Sequence, residues 1–274
     1  MNLPKNFRLP EKKKVDLSDF DPRDTGSFAS KEEVAEKIKE LELDLQELQE
    51  KLIASKQQSV LFIFQGMDCS GKDGVIKKVF AGLNPQGISA YSFKAPTEDE
   101  ARHDFLWRTH RLVPALGQIT VFNRSYYEEV LITRIHGKVE DSEAKQRFKH
   151  INHFEALLAD SRVKVVKIFL HISKEFQLEK LISRIEDPSK NWKFDPSDLL
   201  ERKSWKQYGK YYEELFEKCS KASPWHIVPS DNRWYRNYAV LNIAVDALRS
   251  LELKDPPANP ELQVLLEEIK QEEG

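Results

Sequence analysis

At 274 residues the chain is long enough for one large α/β domain or two small ones. Its 40% hydrophobic and 32% charged residues describe a globular protein with a highly charged surface, and a formal net charge of −2 excludes a generic nucleic-acid or membrane binder, so a polyanion site has to come from local clustering. No run of about 18 apolar residues is present to span a membrane, the N-terminus has no apolar signal core, and Cys69, one of two cysteines, lies in a glycine-bounded loop unsuited to a disulfide, so reduced thiols and a cytoplasmic setting are expected.

Residues 1–29 read as an irregular arm, with Pro4, Pro10 and Pro22, a lysine run at 12–14 and four aspartates. Ser30-Lys31-Glu32-Glu33 has the form of a capping box and opens a helix to about residue 55. Its apolar residues, Val34, Ile38, Leu41, Leu45, Leu48 and Leu52, follow a 4-3-4-3-4 spacing, a seam that can face the chain's own sheet or a partner subunit. A contribution to oligomerisation is the expectation.

An apolar strand at 60–65 then runs into Gly66-Met67-Asp68-Cys69-Ser70-Gly71-Lys72-Asp73-Gly74, a G-x-x-x-x-G-K phosphate loop with Asp73 where Ser or Thr is usual. Gly66 and Gly71 let the backbone approach an anion. The amides of residues 70–73, with Ser70, Gly71, Lys72, Asp73 and Gly74 in the turn, and the positive end of the next helix, at about 72–82, face it. A carboxylate beside phosphate is repelled unless a metal lies between them. Asp68, inside the loop, therefore reads as part of a Mg²⁺ site, while Asp73 is either a second ligand or a first-turn acid favoured by the helix dipole.

A strand at 88–93, a helix from 98 to about 112, a strand at 119–122 and helices at about 125–136 and 143–160 follow, then a strand at 164–171. Lys77, Lys78, Lys94, Arg108 and Arg111 either make a basic track for a linear polyanion or belong to a solvated face balanced by Glu98, Asp99, Glu100 and Asp104. After the third strand, Asn123 stands where phosphate-loop proteins often keep a metal-binding acid. Glu128 can supply the missing charge, and Arg124 points a planar fork at phosphate unless it pairs with Glu128 or Glu129. A helix at 173–186 leads to Arg184 and the cationic, proline-broken stretch to Lys193, which resembles the lid of small nucleotide kinases. A helix at 196–219, a strand at 225–229, a helix after Ser230-Asp231 to about 251 and a tail helix in 255–274 complete the chain. Alternating strands and helices predict a parallel five-stranded sheet sandwiched by helices, with the loop at 66–73 and Asn123-Arg124 sharing one crevice at the strand ends.

Together these pieces resemble the polyphosphate kinase 2 family from about residue 30 to 252. The resemblance rests on the loop at 66–74, Gly82-Leu83-Asn84-Pro85-Gln86-Gly87, Leu106-Trp107-Arg108, Phe122-Asn123-Arg124-Ser125-Tyr126-Tyr127-Glu128, Lys190-Asn191-Trp192-Lys193-Phe194 and Pro224-Trp225. It implies a P-loop kinase-like domain over 30–254, with a helical lid at about 184–203. The implied enzyme moves the terminal phosphate of inorganic polyphosphate reversibly to nucleotides with Mg²⁺. Asp68, Lys72, Arg124 and Arg184 match the catalytic residues, and Asp68, Asn123 and Glu128 are the expected metal ligands. Asn123 looks like the class III subgroup, which acts on nucleoside mono- and diphosphates. The expected partners are polyphosphate, adenine nucleotides (with guanine nucleotides an open second class) and further copies of the chain as a dimer or tetramer. An ATP-dependent nucleoside monophosphate kinase is the alternative.

Overall fold

The computed structural model describes residues 7–9, 14–254, 259 and 261–272. Of the lysine run only Lys14 is among them, and Pro10, Pro256, Pro257 and Pro260 are not. β1 (Ser59–Gln65), β2 (Ile88–Ser92), β3 (Ile119–Asn123), β4 (Val163–His171) and β5 (Trp225–Pro229) form one sheet in the order β2-β3-β1-β4-β5, parallel throughout. The helices are α1 (Ala35–Ser55), α2 (Lys72–Val79), α3 (Trp107–His110), α4 (Ile132–Ile135), α5 (Asp141–Asp160), α6 (Lys174–Glu186), α7 (Ser197–Lys203), α8 (Trp205–Lys218), α9 (Arg233–Arg249) and α10 (Glu261–Glu272). No helix among the described residues is long and apolar enough to cross a membrane.

β1 is central and buried along its whole length. Leu61 and Ile63 face the layer with α5 and α8, whereas Val60, Phe62 and Phe64 face α1, α2 and α9. A strand covered on both faces reads as a continuous apolar run, which is why Val60-Leu61-Phe62-Ile63-Phe64 carries no alternation. From β1 the chain leaves toward the β2 edge, and from β3 it crosses to β4 on the other side. The ends of β1 and β3 thus lie at the reversal of strand order, with Phe64 beside Asn123.

The α1 seam is used within the chain. Val34, Leu45 and Leu52 are fully buried, and Ile38, Leu41 and Leu48 pack beside them against the α9 layer. The arm is also built in. Leu9 N donates to Trp225 O (2.8 Å) and Ile227 N to Phe7 O (3.0 Å), while Leu9 and Val15 enter the core.

Three helical expectations change. Residues 98–112 form only a turn at Glu100–Arg102 and the short α3, because His103 is extended and Asp104 Oδ1 takes the Leu106 N–H. Residues 125–136 begin as a 3-10 turn, Tyr126–Val130, before α4. The helix at 196–219 breaks at Ser204 into α7 and α8. Asp231, just ahead of α9, accepts from Ser173 N (2.9 Å) and Ser173 Oγ (2.7 Å) at the start of α6.

Candidate active site

The loop between β1 and α2 curls because its glycines take conformations that side chains resist. Gly71 has φ +87°, and the space where its Cβ would stand is filled by the guanidinium of Arg236 from α9. Gly66 has φ +154°, and a Cβ there would meet Ser70 Oγ and Leu170 O, at 2.7 and 2.8 Å. Lys72 folds back under the loop, donating to Gly66 O (2.7 Å) and Met67 O (3.2 Å), and is only 7% exposed. Burial, then the Arg124 charge, push its ammonium below the ordinary lysine range against the pull of Asp68, Glu128 and Asp73. Asp68 is half-buried, whereas Asp73 and Gly74 in the first turn of α2 are exposed.

The second strand end meets the first. Arg124 Nη2 donates to Asp68 Oδ1 at 2.5 Å, and Asn123 Nδ2 donates to Asp73 Oδ1 at 2.7 Å. The Asn123 contact has a physical reason: an aspartate at 123 would set two carboxylates against each other, whereas an amide satisfies Asp73. Burial pulls the Arg124 guanidinium down, but Glu128 and Asp68 together hold it above its ordinary value. Burial raises the Glu128 carboxyl, although Arg124 and Lys72 oppose the shift. Gln65 Nε2 donates to Glu128 Oε1 (2.9 Å) and its oxygen accepts from Ser125 Oγ (3.2 Å). Glu129 does not pair with Arg124; it binds Arg108 (3.3 Å) and Arg147 (3.2 Å).

Arg124 has φ +61°, a left-handed conformation unusual for a residue with a side chain. Tyr126 and Tyr127, which follow it, are anchored in the core. Both hydroxyls donate to Glu155 Oε1 (2.8 and 2.5 Å), and Lys167 Nζ donates to Glu155 Oε2, Cys219 O (both 2.6 Å) and the Tyr127 hydroxyl (3.0 Å). Glu155 and Lys167 are fully buried.

The lid segment is linked to the loop through α6. Arg184 donates to Asp198 Oδ2 (2.9 Å) and Lys193 O (3.1 Å), which ties the end of α6 to α7. Arg202 of α7 donates to Gln177 Oε1 (2.9 Å), and Gln177 Nε2 donates to Asp68 O (3.0 Å). Lys193 lies exposed over the Trp192 ring.

Asp68, Lys72, Asp73, Asn123, Arg124 and Glu128 thus share one crevice. The basic track is less uniform. Arg108 is buried, bound to Lys94 O (2.9 Å) and paired with Glu129 and Glu100, and Lys78 pairs with Glu42. Lys77, Lys94 and Arg111 are exposed, with Arg111 over the Trp107 ring. Sequence reasoning missed Arg236, whose Nη1 donates to Ser70 O (3.2 Å) and whose charge is held down to about 10, by burial and then by Arg233. It also missed Lys167 and Glu155. Arg233 and Arg236, spaced i, i+3 at the start of a helix that follows a strand end, were a visible signal. A lysine inside an apolar strand, at 167, was another.

The donor set of Asp68, Asn123 and Glu128 is hard oxygen, which suits Mg²⁺ and not a softer metal. No group of three or more His, Cys, Asp or Glu placed to hold a metal occurs among the described residues.

The polyphosphate kinase 2 family model matches residues 28–256. An AMP/ADP-polyphosphate phosphotransferase from Meiothermus ruber is 41% identical over 254 residues, 92% of this chain and 95% of its own length. An ADP-polyphosphate phosphotransferase from Rhodopseudomonas palustris is 41% identical over 281 residues, 98% of this chain and 97% of its own. The crystal structure of polyphosphate kinase 2 from Arthrobacter aurescens TC1 superposes with a TM-score of 0.90 at 38% identity, covering 96% of each chain.

Proposed function

The chain belongs to the polyphosphate kinase 2 family, and on that premise we infer that it transfers the terminal phosphate of inorganic polyphosphate to AMP and ADP. The observation that carries the reading at the level of the site is the meeting of Asp68 and Arg124 over the amides of the loop, with Lys72 beneath. A phosphate chain laid along that crevice finds two cations and a backbone cradle at the bond to be broken. The attacking oxygen of a nucleotide phosphate is already an anion, so no general base is required, and alignment with charge neutralisation supplies the rate.

In this reading Lys72 and Arg124 neutralise the transferring group, and Arg184 does so from the lid when residues 184–203 fold over it. Ser70, Gly71, Asp73 and Gly74 shape the cradle. Lys77, Lys94, Arg111 and Lys193 guide the polyphosphate, and Arg108 fixes the Lys94 backbone. A Mg²⁺ ion, held by Asp68 with Asn123 or Glu128, would supply positive charge that neutralises the substrate phosphates. Homo-oligomers remain part of the proposal, and because α1 spends its seam on α9, the contact uses other faces.

The class III assignment is a further step. It is supported by Asn123 and by the Meiothermus ruber relative, which is named for both AMP and ADP. The Rhodopseudomonas palustris relative, equally similar, is named for ADP. Separation of products after incubation with Mg²⁺ and polyphosphate, starting from AMP, ADP, GMP and GDP in turn, decides between them: ADP from AMP is expected, and reaction of diphosphates alone would remove the subgroup. The same assay with ATP as the only donor tests the nucleoside monophosphate kinase alternative, for which polyphosphate would be inert.

A further inference from the structure

A cavity of about 420 Å³ lies away from the crevice, between the β4–β5 side of the sheet and the last turns of α9. Lys164 of β4, His226 of β5 and Arg8 of the arm line it, with Asn242 and Asp246 of α9. Side chains alternate along a strand, so Lys164 and His226 share a face with Val166, Ile168 and Val228, the face that packs on α9. Arg8 is bridged to His226 in antiparallel fashion and so joins the two strands at this cavity. Lys164 stands beside Val60, six residues before Gly66, and Asp246 follows Arg236 by ten residues along α9. About 15–20 Å of strand or helix therefore separates Lys164 and Asp246 from the phosphate loop.

The basic groups here are not matched by acids. The half-buried Lys164 ammonium makes no ion pair or hydrogen bond among the described residues. Burial, and then the Arg8 charge, hold it below the ordinary lysine range, with no carboxylate pulling the other way. His226 Nδ1 lies 3.2 Å from Lys167 O, and since a carbonyl can only accept, Nδ1 carries the proton. Nε2 is then a lone-pair acceptor, and it makes no hydrogen bond among the described residues. Two carboxylates border the cavity. Glu155 is spent on Lys167 and the hydroxyls of Tyr126 and Tyr127, whereas Asp246 is exposed on α9.

We propose that this cavity is a second anion site, separate from the crevice, and that its ligand is hydrogen phosphate. Lys164 and Arg8 supply the positive charge. The neutral His226 Nε2 and the Asp246 carboxylate are acceptors, and they require an anion that still carries a hydroxyl to donate. Hydrogen phosphate has one near pH 7; sulfate has none, so the same groups that welcome the first reject the second. The anion draws together the arm, β5, β4 and α9, and thereby fastens residues 7–9 to the sheet.

The test follows the His226 ring by NMR as inorganic phosphate is added to the 274-residue chain at constant ionic strength near pH 7, with sulfate in a parallel series; His226→Gln identifies the signal. A saturable shift with phosphate and none with sulfate is expected. Lys164→Gln should weaken the phosphate response by at least about tenfold, since a charged donor is lost. Lys72→Ala, which alters the phosphate loop, should leave the response as it is. A His226 signal that ignores phosphate overturns the proposal, and so does an equal response to sulfate, which would mark ionic screening. Loss of the response in Lys72→Ala also overturns it, because the anion would then be bound at the loop. Should Lys164→Gln fail to fold, the comparison of phosphate with sulfate on the unaltered chain still decides.

Discussion

Arg124 Nη2 and Asp68 Oδ1 stand 2.5 Å apart, so the ends of β3 and β1 are joined by an ion pair across the crevice. With 36% and 24% of these side chains exposed, the pair contributes little to stability, about 0–1 kcal/mol after solvent screening. On the proposed function, a polyphosphate end with its cation takes over both partners at small cost. The pair keeps each group in the crevice and leaves it exchangeable.

Asp68→Ala should lower turnover at least 100-fold with little change in Tm. Lys72→Ala should lower it as far and also cost about 1–3 kcal/mol, because two loop carbonyls lose their donor. Arg124→Lys keeps the charge but loses the planar fork and should cost at least tenfold. A coupled assay for ATP formation, run beside thermal melts, checks all three.

Gly71→Ala forces a side chain into the left-handed region and against Arg236. It should destabilise the fold by about 1–3 kcal/mol and abolish most activity. Arg236→Met keeps the length and removes the bond to Ser70 O, so it should reduce turnover while preserving the fold. Urea titrations separate the two effects.

Lys167→Met leaves the Glu155 carboxylate buried without its cation, a change that costs about 3–5 kcal/mol. Lys167→Met with Glu155→Gln should recover a large part of that loss, since the remaining groups are neutral. Failure of the double variant to recover any stability in urea would show that the two side chains do not act as a pair. Because the network holds Tyr126 and Tyr127, activity should follow the same order.

Acid sensitivity should depend on His226. Burial, with Arg8 and Lys164 nearby, holds this histidine down to about 4, against 6.5 when unfolded, although its Nδ1 lies 3.2 Å from Lys167 O. Between those values the unfolded chain takes up a proton that the folded chain refuses. The contribution is complete above pH 6.5 and is lost as pH falls toward 4. Its size is on the order of 1–3 kcal/mol. His226→Gln should flatten the slope of Tm against pH over this interval.

Local patterns made the strands, the loop and the crevice readable in advance. An unbroken apolar run, two glycines at fixed spacing and a following helix all lie within a few residues. The failures have one physical origin, which is competition settled by distant partners. Asp231 could cap the helix that follows it, but Ser173 claims its carboxylate. Thr97 and Glu100 exchange bonds that resemble a helix start, but the stacking of His103 on Trp107 accompanies a different path. Arg236 supports the loop from 166 positions away, and no local spacing reports such a bond.

The attachment of residues 7–9 to β5 bears on how the protein is handled. Those residues satisfy backbone groups along one margin of the sheet. Shortened forms that begin after residue 14 would uncover the margin and offer it to another molecule as a template for strand addition. They should show concentration-dependent aggregation by light scattering, whereas the 274-residue chain should not. A segment that reads as an irregular arm in its composition thus pairs with the edge strand of the sheet.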